Sequence, residues 1–267
     1  MSFAARYWLA GIDPCEIFYR NGYTPDPWQE ELLRLRPVAA LVRWGRQTGK
    51  TLCVSALCLS QALFRAPSLV LISSHNQTKS KEMLKKVMTL YKPYEQEIPL
   101  VVDSTEEKAF ANGSRIIALP GTPESPRTYT AHLAVLDEAS WTANGLRDSL
   151  VFVLATTNGP LIAMSTPPEE PFGWWWSAWT QAGALDAQQA AHAKDEWFRT
   201  MVPSTKCRRV RPELLEREKA INPTAYAREV ECKFPEFQKF SGNRPFSPEV
   251  VNAAFTNGFQ PVFGGTE

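Results

Sequence analysis

"LVRWGRQTGKT" (Leu41–Thr51) decides how this chain is read. An apolar run breaks off into Gly45-Arg46-Gln47-Thr48-Gly49-Lys50-Thr51. Just upstream, "RPVAALVRW" (36–44) carries β-branched residues and no polar alternation, which predicts a strand buried on both faces. Just downstream, "GKTLCVSALCLSQALF" (49–64) is apolar all round, which predicts a buried helix. A strand, a glycine-bearing loop and a helix start together aim backbone N–H groups at one point, where phosphate oxygens can bind. In such a loop Lys50 reaches the β- and γ-phosphates of a nucleotide and Thr51 holds Mg²⁺. The spacing departs from the usual one: three residues, not four, separate Gly45 from Gly49-Lys50, and Trp44 stands one place earlier. The alternative is a plain strand–turn–helix with a surface lysine.

Outward from the loop, "SLVLISS" (68–74), "HLAVLDEAS" (132–140) and "PLIAMSTPP" (160–168) predict further buried strands. "QTKSKEMLKKVMTLY" (77–91) predicts a helix with Leu84, Val87, Met88 and Tyr91 on one face and lysines opposite, and "LRDSLVFVLATT" (146–157) predicts another. Asn112-Gly113 within "EKAFANGSRIIALP" (107–120) signals a β-hairpin. Strands alternating with helices imply an α/β fold, a mostly parallel sheet with helices on both faces. After Pro168 the character changes: "EEPFGWWWSAWTQ" is aromatic-rich, "EWFRTMVPS" reads as one more strand, and "RPELLEREKAI" and "NPTAYAREVECKF" read as two polar helices. The expected organisation is a core over residues 1–180, a small helical subdomain over 181–240 and a tail over 241–267.

The chain has 29 basic and 28 acidic residues, a net charge of +1, so no overall field selects a polyanion. The five cysteines, Cys15, Cys53, Cys58, Cys207 and Cys232, form no CxxC pair, which argues against a disulfide framework or zinc site and fits a reducing cytoplasm. The N-terminus does not read as a signal peptide, and no apolar run reaches the roughly 20 residues of a membrane span.

A phosphate loop hydrolyses nothing without a second-strand carboxylate for the metal and a group that positions water. "LAVLDEA" ends a predicted strand in Asp137, suited to the metal, and Glu138, suited to orienting or deprotonating water. "IAMSTPP" puts Ser165 and Thr166 at a strand end, where they touch either a γ-phosphate or merely finish the strand.

Together these residues resemble the ATPase domain of viral large terminase subunits, the motors that package DNA into procapsids. "PDPWQEELL" resembles the family's adenine-recognition motif, with Gln29 at the base edge. "GRQTGKT" resembles its deviant Walker A, with Arg46 facing the phosphates and sensing their state. "LAVLDEA" resembles Walker B plus catalytic glutamate, and "AMSTP" the coupling motif. The resemblance spans about residues 20–240 and implies an ASCE-type P-loop fold with a lid or linker over 181–240. It implies ATP and Mg²⁺ as cofactors, double-stranded DNA as substrate, a ring on the portal, and a small terminase subunit as partner. It places the chain in the cytoplasm of an infected bacterium, with no membrane contact.

The resemblance also implies an arginine acting on a neighbouring subunit's nucleotide. Arg127, in a loop ten positions before Asp137, and Arg147, after it, are the rival candidates. A C-terminal nuclease domain belongs to the whole family protein. No acid-tipped strands follow the helical stretch here, so no cleavage activity is expected, and residues 241–267 read as a tail or linker toward that domain. For DNA contact, Lys206, Arg208, Arg209 and Arg211 form one candidate cluster, and Lys79, Lys81, Lys85 and Lys86 a stripe on one helix. The tryptophans 174–176 and 179 are expected to pack between core and lid. The other readings are a helicase-like or other P-loop DNA translocase, a nucleotide kinase, and an assembly module that binds ATP without turnover.

Overall fold

A computed structural model describes residues 9–170, 173–184 and 197–234. The tail expected over 241–267 lies outside them. The helices are α1 (Cys15–Arg20), α2 (Pro27–Leu35), α3 (Lys50–Phe64), α4 (Gln77–Tyr91), α5 (Asn144–Leu154), α6 (Trp174–Ala184), α7 (Pro212–Ile221) and α8 (Pro223–Glu229). The strands are β1 (Ala39–Trp44), β2 (Leu69–Ser74), β3 (Leu100–Asp103), β4 (Glu107–Phe110), β5 (Arg115–Ala118), β6 (Leu133–Asp137), β7 (Leu161–Met164) and β8 (Phe198–Val202). Among the described residues they form one sheet in the order β3-β4-β5-β2-β6-β7-β1-β8. The run from β5 to β8 is parallel; β4 is antiparallel to both β5 and β3.

Side-chain alternation along the central strands divides the core in two. Ala40, Val42, Val70, Ile72, Val135, Ile162 and Met164 pack with α3, α4 and the N-terminal helices. Leu41, Leu71, Ala134, Leu136 and Ala163, on the opposite face, pack with α5 and Trp175 of α6. Both faces are covered, so these strands read as unbroken apolar runs. For the same reason α3 is buried almost all round: it lies between the sheet and α4.

The predicted hairpin is β4–β5, turned at Asn112-Gly113, with Gly113 at φ +84°. Sequence reasoning missed β3. It is four residues long, sits at the sheet edge, and exposes Val101 and Val102, so it lacks the burial that makes strands legible. Among the described residues no helix is long and apolar enough to cross a membrane, and all five cysteines are buried free thiols.

The stretch 181–240 supplies α7, α8 and an edge strand of the main sheet. β8 pairs with β1 from Ala40↔Phe198 to Trp44↔Val202. The two strands are further tied by the buried indole of Trp44, which donates from Nε1 to Thr200 Oγ1 at 3.0 Å. The tryptophans of α6 are also structural: Trp175 is fully buried and meets Trp174 and Trp179 edge to face. The Arg43 guanidinium of β1 lies 4.1 Å from the Trp179 ring centre and 4.4 Å from that of Phe234, joining the strand under the loop to the segment after α8.

Thr200→Val keeps the shape of that side chain but removes the acceptor of the Trp44 indole. A buried N–H left unpaired costs ~1–3 kcal/mol. Urea unfolding of this variant is expected to show a loss of that size.

Candidate functional site

The loop 45–49 joins β1 to α3 and forms one wall of a cleft of about 1240 Å³ at the carboxyl ends of the strands. Two glycines are required by geometry. Gly49 caps α3 at φ +82°, and a Cβ there would stand 2.3 Å from Gln29 Nε2. A Cβ on Gly45 would meet Ser204 Oγ at 2.4 Å and the Val230 carbonyl oxygen at 2.9 Å. α3 therefore starts on a residue without a capping side chain, and its positive end opens into the cleft.

The first two loop amides are used for assembly: Gly45 N–H donates to the Val202 carbonyl at 2.8 Å, and Arg46 N–H to the Glu229 carbonyl at 3.0 Å. Among the described residues the amides of 47–52 have no backbone acceptor. Inside the loop, Thr48 Oγ1 donates to the Gly45 carbonyl at 2.7 Å. Lys50 and Thr51 line the cleft, with Lys50 Nζ 3.5 Å from the Trp44 carbonyl oxygen.

α2 braces the loop from behind. Trp28 Nε1 donates to the Thr48 carbonyl at 3.3 Å, and Gln29 Nε2 lies 3.4 Å from the Thr48 and Gly49 carbonyls. Gln29 Oε1 accepts from Asp26 N–H at 2.8 Å, closing a capping box. Gln29 is 2% exposed and is not part of the cleft wall. Both ends of its amide hold the loop and the α2 cap, whereas the sequence reading sets it at a base edge.

Opposite the loop, β6 ends in Asp137 and Glu138. β7 lies between β6 and β1, and the pairings Asp137↔Met164 and Val42↔Met164 set the three strands level. β6 and β1 are therefore about 9.5 Å apart, two strand spacings. Asp137 is buried, and Oδ1 accepts from Glu138 N–H at 2.9 Å. Burial raises its carboxyl pKa above the ordinary value; the Lys50 charge opposes this, Glu138 adds to it, and the Glu138 amide and Lys86 oppose it. Glu138 is half-buried, lines the cleft, and adopts a left-handed conformation (φ +51°) that is uncommon for a residue with a Cβ.

At the end of β7, Ser165 and Thr166 do different things. Ser165 is fully buried with its hydroxyl 2.7 Å from that of Ser140, whereas Thr166 lines the cleft. The candidate metal oxygens, the Thr51 hydroxyl and the Asp137 carboxylate, suit Mg²⁺, which takes one or two carboxylates plus phosphate and water oxygens. Among the described residues no group of three or more His, Cys, Asp or Glu could hold a metal by itself.

Arg46 also lines the cleft. Its side chain is 72% exposed, and Nε donates to Glu229 Oε2 at 2.8 Å. Arg228 joins the same cluster, 2.8 Å from Glu169 and 3.2 Å from Glu229. Arg209, a member of the basic cluster, lines the cleft near Gly49 and forms a forked pair with Asp26 at 3.0 and 2.5 Å. The structure does not bring Arg127 or Arg147 into the cleft. Arg127 lines a separate cavity of about 530 Å³ with Tyr129, Asp148 and Phe152, and Arg147 pairs with Asp148 at 2.9 Å.

Sequence reasoning missed Glu169, Arg228 and Glu229 as cleft residues, and also His75, Lys79, Lys86 and Trp141. Only the lysines carry a signal, their common face on α4. The rest come from loops and from α8, whose approach to the loop has no local pattern.

Among solved structures, the Thermus phage P74-26 large terminase ATPase domain superimposes with a TM-score of 0.69 at 16% identity, covering 82% of this chain and 97% of that one. The HK97 bacteriophage large terminase gives 0.58 at 16% identity, covering 84% and 48%. The large terminase of another thermophilic bacteriophage, in complex with ATP-gamma-S, gives 0.58 at 9% identity, covering 78% and 52%. The chain thus spans about half the length of the last two proteins. No curated protein sequence matches it. The sequence profile of the family described as "Terminase large subunit, T4likevirus-type, N-terminal" matches residues 42–242. The match takes in the loop, both acids, β8 and α8, and the chain belongs to this family, as the N-terminal ATPase domain of a phage large terminase.

Proposed function

We propose that this domain hydrolyses Mg²⁺-ATP to drive double-stranded DNA into a procapsid. The observation that carries the reading is the row of unpaired amides at 47–52, above an uncapped helix start, facing Asp137 and Glu138 across one strand. Such a cradle fits a polyphosphate. The complexes of the thermophilic-phage large terminase with ADP and ATP-gamma-S support the choice of nucleotide.

In this reading Lys50 and the loop amides hold the β- and γ-phosphates. Thr51 and Asp137 hold Mg²⁺, which neutralises phosphate charge when bound. Asp137 must be ionised for that role, and the nearby Lys50 favours its ionisation. Glu138 accepts the proton of the attacking water. Thr166, at the end of the strand between loop and acids, is placed to feel the γ-phosphate; Ser165 anchors that strand end through Ser140. Gln29 acts through the loop by bracing it.

Arg46 has a carboxylate partner in this structure and must leave Glu229 to reach phosphate. That exchange ties α8 to the nucleotide state, consistent with residues 181–240 serving as a lid on a core of 1–180. Arg127 is the better candidate for action on a neighbouring subunit, because it makes no ion pair among the described residues, whereas Arg147 is paired. Assembly as a ring on the portal, with a small terminase subunit, belongs to the same proposal and is supported by the family match.

Glu138→Gln is expected to retain ATP binding and to lower turnover by at least ~100-fold. Phosphate release, measured beside fluorescent-nucleotide binding, checks both; hydrolysis at the wild-type rate would remove Glu138 from the mechanism. Glu229→Gln frees Arg46. An exposed ion pair is worth ~0.2–1 kcal/mol, so ATP affinity is expected to rise by up to about fivefold in equilibrium titration.

A further inference from the structure

The cleft of about 1240 Å³ is larger than the roughly 300–1,000 Å³ usual for one small ligand. The extra wall is α4. His75, just before the helix, and then Lys79, Lys86 and Thr89 all line the cleft. Lys79 and Lys86 are seven residues apart, two helical turns, or about 10.5 Å along the axis.

The four lysines of α4 separate into two pairs. Lys81 bonds Glu106 at 2.7 Å and Lys85 bonds Glu82 at 2.6 Å, and neither lines the cleft. Lys79 and Lys86 line it and make no ion pair among the described residues. The arginines of the cleft are committed: Arg46 to Glu229, Arg228 to Glu169 and Glu229, Arg209 to Asp26. With Lys50 assigned to the nucleotide, the unpaired positive charge that remains in the cleft lies on the α4 wall.

We propose that the Lys79–Lys86 face of α4 receives the inorganic phosphate released by hydrolysis, holding a tetrahedral oxyanion beside ADP. The inference rests on the ATP-hydrolysing reading above. In that reaction the water oxygen bonds to the γ-phosphorus. The bond from phosphorus to the bridging oxygen breaks, with its electron pair remaining on ADP, and the water proton leaves through Glu138. The product anion is then free of the loop but still within the cleft. Two lysines without carboxylate partners give it a place to move without disturbing ADP, which the loop amides retain. Thr89 and His75 stand at the two ends of the same wall, the Thr89 hydroxyl donating to the Lys85 carbonyl at 3.1 Å and His75 Nε2 lying 2.8 Å from Asn76 Nδ2.

The test is calorimetric titration of inorganic phosphate into the full chain saturated with ADP and Mg²⁺. Three proteins are compared: wild type, Lys79→Gln/Lys86→Gln, and Lys81→Gln/Lys85→Gln, which removes equal charge from the same helix. Circular dichroism and ADP affinity report whether each is folded, and the single variants Lys79→Gln and Lys86→Gln serve if the double variant is not. The proposal expects phosphate binding to weaken about tenfold in the cleft-facing variant and to be unchanged in the other. It is overturned if wild type binds no phosphate, or if both double variants weaken it equally. It is also overturned if the cleft-facing variant keeps phosphate but loses duplex DNA, which would make α4 part of a DNA path. If wild type binds neither ADP nor ATP, the nucleotide reading fails first and this inference falls with it.

Discussion

A buried helix that starts without a cap needs a partner for its positive end. α3 is held between the sheet and α4 and begins at a glycine that offers no side-chain oxygen to its first amides. Asp, Ser or Asn at a helix start closes it by accepting from the first amides and stabilises it by ~0.5–2 kcal/mol. Gly49 instead leaves it open, because a larger residue would strike Gln29 and could not easily adopt the left-handed backbone. The end of the helix is thus left open toward the cleft, where an anion can approach it, and the elements around it shape the loop.

The loop is shaped from two sides by segments distant in sequence. α2 supports it through Trp28 and Gln29, and the region from β8 to α8 encloses it through Val202, Ser204, Glu229 and Val230. Gly45 lies in the second contact with no space for a Cβ. A shift of the loop must therefore move either α2 or the C-terminal segment. The second is the softer of the two, since α7 buries none of its residues and α8 buries only Tyr226. The Arg43 guanidinium, stacked on Trp179 and Phe234, joins that segment to the strand that carries the loop.

Charge in the cleft follows the same division. The arginines are bound to carboxylates, whereas Lys50, Lys79 and Lys86 are not. Planar guanidinium groups make forked bonds that hold elements together, as between Arg209 and Asp26. Lysines are compact charges on flexible stems and make no such fork.

Much of the fold is written in local pattern. Strands buried on both faces produce continuous apolar runs, so β1, β2, β6 and β7 are legible, as are α3, α4 and the Asn-Gly hairpin. β3, short and exposed at the edge, leaves no such trace. Likewise Lys50, Thr51, Asp137, Glu138 and Thr166 are legible as residues of the loop and the strand ends, because glycines and the ends of apolar runs mark those places. The sequence does not show that Gln29 faces the loop and not the cleft, that Ser165 turns to Ser140, or that Glu229 holds Arg46. Those depend on packing between segments up to 183 residues apart. Local periodicity thus determined which elements form and which residues stand at their ends, because burial and backbone geometry act over a few residues. The tertiary structure alone decided the partner of each polar side chain, because hydrogen-bond and charge pairing is set by whichever distant segment folds against it.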